Sequence, residues 1–85
     1  MVEGGRGPRS KSSDKRALLT LLKRIRQDAG LRQVDLATAL GKPQSFVSKY
    51  ESGERRLDLI ELRQVCQVVG LSLADFARRL EGLIS

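Results

Sequence analysis

Gln44, Ser45, Ser48, Lys49 and Ser52 are spaced so that a helix would present all five on one face. Their chemistry is that of paired donors and acceptors with one fixed positive charge, which suits non-covalent recognition of a polar edge. Bond-making chemistry has no such set. The chain contains no histidine and a single cysteine, Cys66, so neither a Cys–His nucleophile pair nor a zinc site can be assembled. It also lacks a Gly-rich phosphate cradle and a nucleophile beside a base. An enzyme is therefore not expected, no catalytic residue or metal ligand is assigned, and no cofactor is called for. Cys66 lies on an apolar helical face and reads as a small buried hydrophobe; the alternative, a redox sensor, needs exposure and a lowered pKa.

Lys42 precedes the polar face, and Arg55 and Arg56 follow it, positions from which cations could clamp phosphates on either side of a helix. The alternative is a solvated charged loop. The whole chain carries a net charge of +6 at a sequence pI near 10.3, which favours a polyanionic partner. Ribosomal, membrane-surface and nucleic-acid-binding proteins share that balance. Apolar runs such as Ala17 to Leu22 are far too short to span a membrane, and the first residues lack the apolar centre of a signal peptide. No membrane partner is expected, and a cytoplasmic, bacterial-style address is the default.

These side chains need helices to position them. Residues 1–13 are mostly Gly, Ser, Arg and Lys and read as a flexible basic arm, because almost nothing there repays the entropy of ordering. Residues 1–16 hold five basic and two acidic side chains, half of the net charge. Such an arm could follow phosphates or enter a minor groove, or be a solvated tail. Residues 14–85 form the folded domain. Leu18, Leu22, Ile25 and Ala29 mark the inner stripe of a first helix, capped by Ser13 or Asp14 and stopped at Gly30. A second helix of about two turns carries Leu36, Ala37 and Leu40 and stops at Gly41. The third starts at Pro43 or Gln44, where a missing N–H is harmless, and ends before Gly53. Its inner face is Val47, Tyr50 and Glu51. Asp58 with Glu61 opens a fourth helix through a capping-box pattern, bearing Leu62, Val65, Cys66 and Val69. The fifth, about 72–84, begins at Ser72 with Asp75 and shows Leu73, Phe76, Ala77 and Leu80 on a stripe, then Leu83 and Ile84. The expected fold is all-α, a compact five-helix bundle. The second and third helices, about 32–52, hinge at Gly41 as a helix-turn-helix does when one helix is to enter the DNA major groove.

Arg26, Gly30-Leu31, Gln33, Leu36-Ala37, Leu40-Gly41, Val47-Ser48, Glu51, Gly53 and the Leu62–Leu73 segment form an ordered set over roughly residues 18–80. In it the chain resembles the Cro/C1-type, or XRE, helix-turn-helix family, with its lambda-repressor-like fold. The resemblance implies that Gln33 holds a phosphate through its amide, aided by a helix N-terminus, and that Gln44, Ser45 and Lys49 reach base edges. Glutamine suits adenine, lysine suits guanine, and serine is permissive; Ser48 is a further base or backbone candidate. Glu51 is expected to pair with Arg26, since a buried carboxylate without a partner is expensive; two solvated surface charges are the alternative. The family usually has Ser or Thr where this chain has Arg32 and Pro43. Arg32 cannot cap but could meet phosphate, and Pro43 could touch a thymine methyl. Phe46 could cover a thymine methyl or a sugar, or instead pack on the Arg55-Arg56 loop.

The resemblance implies a sequence-specific regulator of transcription that binds double-stranded DNA, in the simplest case a repressor, with a bacterial or phage-type, nucleoid-associated address. As a homodimer it would place recognition helices in successive major grooves about 34 Å apart on a palindromic or pseudo-palindromic operator. Dimer contacts are expected from the C-terminal helix with Leu83 and Ile84, whose apolar residues could instead complete the monomer core. No effector domain is expected beyond the fifth helix and no small-molecule effector is evident, so the chain resembles compact Cro-like repressors and restriction–modification controllers. Two other readings stand beside it. One is an antitoxin or adaptor that binds a partner protein and its own promoter; the other is charge-driven nucleic-acid binding without sequence preference.

Overall fold

A computed structural model describes residues 11–84, with the side chains of residues 13–84. Five helices follow one another: α1 (Lys11–Asp28), α2 (Gln33–Leu40), α3 (Gln44–Ser52), α4 (Leu59–Val69) and α5 (Leu73–Ile84). Residues 1–10 of the expected arm lie outside the described residues, while Lys11–Ser13 belong to α1 rather than to the arm. Ser13 and Asp14 therefore do not cap α1. Asp14 sits inside its first turn, where a negative charge meets the positive end of the helix dipole.

α1 packs on α3 and α5, α2 on α3 and α4, and α4 on α5. A helix serving two neighbours needs a wide apolar face, and Leu21, Leu22 and Ile25 are all buried. Leu18 is half-buried and Ala29, beyond the helix end, is exposed. Leu36, Ala37, Val47, Tyr50, Val65, Cys66 and Phe76 complete the core. In α5 only Phe76 is fully buried; Leu73 and Leu80 are half-buried, and Ala77 faces solvent instead of extending the stripe. Among the described residues no helix is long and apolar enough to cross a membrane.

Two helix starts follow the sequence closely. Glu61 N–H donates to Asp58 Oδ1 at 2.7 Å and Asp58 N–H to Glu61 Oε1 at 3.0 Å, a reciprocal capping box. Asp75 N–H donates to the Ser72 hydroxyl at 3.0 Å ahead of α5. The turn between α2 and α3 depends on Gly41, at φ +71°. This left-handed residue lets Lys42 N–H reach Ala37 C=O at 2.9 Å and Gly41 N–H reach Thr38 C=O at 3.0 Å, satisfying two carbonyls that the end of α2 would leave unpaired. Gly53 ends α3 the same way at φ +89°, and a Cβ there would lie 3.1 Å from Leu19 Cδ1.

Candidate nucleic-acid interface

Val47 and Tyr50 turn into the core at 0% and 1% exposure, which fixes how α3 is rotated. Gln44, Ser45, Lys49 and Ser52 are consequently exposed on the other side and Ser48 is half-buried. Ser52 faces its own helix end, its hydroxyl donating to Lys49 C=O at 3.0 Å. The polar face thus narrows to Gln44, Ser45, Ser48 and Lys49.

Glu51 locks this rotation. Arg26 reaches its carboxylate with two bonds, Nε to Oε2 at 2.7 Å and Nη2 to Oε1 at 3.0 Å. Arg26 Nη1 donates to Leu31 C=O at 2.8 Å, and Gln33 Nε2 donates to Glu51 Oε1 at 3.1 Å. The two charged side chains keep only 9% and 4% of their surface, so the pair is buried and the solvated alternative is excluded. Glu51 holds the Arg26 guanidinium above its ordinary pKa, the hydrogen bond outweighing desolvation. One carboxylate therefore joins the end of α1, the start of α2 and α3, and through Arg26 the turn after α1. Gln33 enters this network with one of its two amide N–H groups, which orients the amide and leaves its second N–H for another acceptor.

At the start of α2, Arg32 takes the cap position without a side-chain acceptor, as its chemistry requires. Asp35 supplies the bonds instead: its Oδ2 accepts from Arg32 N at 2.9 Å and Nε at 3.0 Å, and its Oδ1 from Nη2 at 2.9 Å. Arg32, first through its side chain and then through its backbone N–H, holds the Asp35 carboxyl down to about 2. The guanidinium remains largely exposed. Pro43, also exposed, precedes α3 in an extended conformation with φ −69° and ψ 157°.

Phe46 packs on the loop, the second of the two expected arrangements. Its ring meets Tyr50 edge-on at 5.6 Å, carries the Arg55 guanidinium at 4.7 Å and the Lys42 ammonium at 5.4 Å. Arg55 is further held by Glu61 through Nη1–Oε1 at 3.0 Å and Nη2–Oε2 at 2.8 Å, and donates to Arg56 C=O at 2.9 Å. Glu61 is in turn held down to about 2, chiefly by Arg55. Lys42 and Arg55 thus form a cationic ledge fixed on an aromatic ring at the two ends of α3, while Arg56 extends from the loop exposed.

On α3, Gln44, Ser45 and Lys49 are exposed and Ser48 is half-buried; Arg32 and Pro43 are exposed ahead of α2 and α3, Gln33 is half-buried at the Glu51 carboxylate, Lys42 and Arg55 rest on Phe46, and Arg56 is exposed in the loop that follows. Sequence reasoning missed the two carboxylates that hold Arg32 and Arg55. Asp35 lies three residues from Arg32 and was detectable as a helical pair. Glu61 reaches Arg55 across a loop, and its capping spacing with Asp58 concealed the second role.

The helix-turn-helix family profile matches residues 22–80. Among solved structures, the chain is similar to an XRE-family like protein from Pseudomonas syringae pv. tomato str. DC3000, at 43% identity and a TM-score of 0.79 over 87% of this chain and 90% of that one. It is similar also to the clp gene regulator ClgR from C. glutamicum, at 28% identity and a TM-score of 0.73 over 85% of this chain and 92% of that one. No curated protein sequence matches significantly. The matched span covers every element that holds or borders the polar face of α3, and the chain belongs to the Cro/C1-type, or XRE, helix-turn-helix family of DNA-binding transcriptional regulators.

Proposed function

We propose that the protein is a sequence-specific repressor that binds a palindromic or pseudo-palindromic operator as a homodimer. The observation that carries this reading is the exposed polar face of α3 set opposite Val47 and Tyr50 and locked by Glu51. A helix held at one rotation and depth can present Gln44, Ser45, Ser48 and Lys49 to base edges in a major groove. Gln33 donates its remaining amide N–H to a phosphate, Arg32, Lys42, Arg55 and Arg56 add positive charge along the backbone, and Pro43 offers an apolar contact. Phe46 acts from beneath, as the support of Lys42 and Arg55. Leu83, 55% exposed on α5, supports a dimer through the C-terminal helix. Such a protein works in the cytoplasm on the nucleoid.

Selecting bound sites from a random DNA pool tests the reading. A two-fold symmetric consensus is expected; absence of enrichment would sink it. Against that consensus, Gln44→Ala should cost about 1–3 kcal/mol and relax preference at one position per half-site, read by competition binding. Charge-driven binding predicts no change in preference.

A further inference from the structure

Of the arginines that the operator-binding reading sets along the DNA backbone, Arg32 already holds the Asp35 carboxylate and Arg55 that of Glu61, while Arg56 is exposed. Each of these acids cancels a cation that a phosphate could use. The Arg55 pair is the more tightly built. Asp35 reaches Arg32 from three residues away, and the Arg32 side chain keeps 78% of its surface. Arg55 is fixed from three sides: its guanidinium lies on the Phe46 ring, two bonds join it to Glu61, and a third goes to Arg56 C=O. These bonds leave its Nε–H and one hydrogen of Nη2 for another acceptor.

Glu61 is itself held in place, because its Oε1 accepts from Asp58 N–H in the α4 capping box. Lys42, on the same ring as Arg55, lies close enough for its charge to act on the Glu61 carboxylate too. One carboxylate on α4 therefore faces two cations that rest on α3. A mobile, unpaired arginine follows phosphates on any sequence and displaces counterions wherever it does so. A neutralised and immobile one gains little from a duplex docked in an arbitrary register. It favours the register in which a phosphate meets its remaining donors.

We propose that Glu61 is a specificity-determining residue, which withholds Arg55 from charge-driven DNA binding and leaves it to a phosphate that lies where its fixed donors point. Glu61 acts through Arg55 and is in that sense a positioning residue. The favoured register rests on the operator-binding reading, whereas the restraint on charge-driven binding does not.

Glu61→Gln tests this in the full chain, because glutamine keeps the acceptor that the capping box needs while removing the charge. Affinity is measured for a short random-sequence duplex and for the selected consensus between about 50 and 200 mM salt. On the random duplex the variant should bind about fivefold more tightly at the low-salt end, with a salt dependence steeper by about 0.9, the slope of one further phosphate. On the consensus it should gain at most about twofold, so that the ratio of the two affinities falls. The double variant, with Arg55→Gln added, leaves neither charge alone and decides the matter even if the single variant fails to fold. It should keep the parent's slope on the random duplex; a slope shallower by about 0.9 would show Arg55 already serving phosphates there, and a steeper one would show Glu61 acting without Arg55. Asp75→Asn is the matched control, since it takes a carboxylate from Arg78 on α5, which packs on α1 and α4, and it should leave the slope unchanged. Either departure in the double variant, an unchanged slope in Glu61→Gln, equal gains on both duplexes, or the same steepening in Asp75→Asn would each overturn the assignment. Failure to select any operator would remove the operator reading, and the slopes on the random duplex would still decide the restraint on Arg55.

Discussion

The junction of α2 with α3 and the seam of α1 with α5 lie on the same core but are packed differently. At the first, Leu36, Ala37 and Val47 are exposed by 0%, 1% and 0%, Gly41 closes the turn with two backbone bonds, and Glu51 ties in α1. At the second, Leu18, Leu19, Leu80 and Ile84 are only half-buried around an open cavity of about 400 Å³. Close packing with a buried ion pair holds α3 at one rotation, whereas the seam leaves space.

Breaking the locked side should have the largest effect. Glu51→Ala strands the Arg26 guanidinium in a buried site and should lower stability by about 3–5 kcal/mol in denaturant titration, enough to unfold much of a domain this small. Replacing both partners with apolar residues should recover most of the loss. Next, Leu36→Ala should cost about 2–5 kcal/mol, while Leu80→Ala, beside space that already exists, should cost under about 1.5 kcal/mol. Equal losses would mean that the two sides are packed alike.

Two glycines separate the regions more finely. Gly41→Ala forces a side chain into the left-handed region and should cost about 1–2 kcal/mol. Gly82, inside α5 with open space where a Cβ would stand, should do the opposite, and Gly82→Ala should raise stability by about 0.5–1 kcal/mol. The smallest effect concerns the carboxylates paired with Arg32 and Arg55. Asp35 and Glu61 are both held down to about 2, below the ordinary 3.8 and 4.5. A depressed carboxylate stabilises the fold fully above its unfolded pKa and loses that contribution as pH falls through the window down to the folded value. Stability should therefore decline from about pH 4.5 toward pH 2, modestly because solvent screens both pairs, and Asp35→Asn with Glu61→Gln should flatten the decline.

Much of this was legible before any coordinates. The helices could be placed within a few residues because Asp58-Glu61, Ser72-Asp75, Gly41 and Gly53 are local signals that act through bonds three to five residues long. The start of α1 was less legible, since Ser13 and Asp14 can equally cap a helix or sit in its first turn, and only the upstream residues decide. Spacing places Ala29 and Ala77 inward, yet both lie outward, because a periodic stripe states which residues share a face but not how far the neighbouring helix reaches. Phe46 could not be decided locally at all. Its environment consists of Lys42, Tyr50 and Arg55, gathered from two turns and a helix.

What the sequence determined by itself is the set of helices, the hinge and the division of α3 into a buried face and an exposed polar one. Each of those depends on contacts within a turn or two of chain, where residue type and spacing state the physics directly. Tertiary structure decided what the charges do: that Glu51 is shared by Arg26 and Gln33, that Arg55 answers to Glu61 and Phe46, and that α1 and α5 part around a cavity. Those outcomes depend on distances between residues remote in sequence, and such distances exist only once the helices have packed.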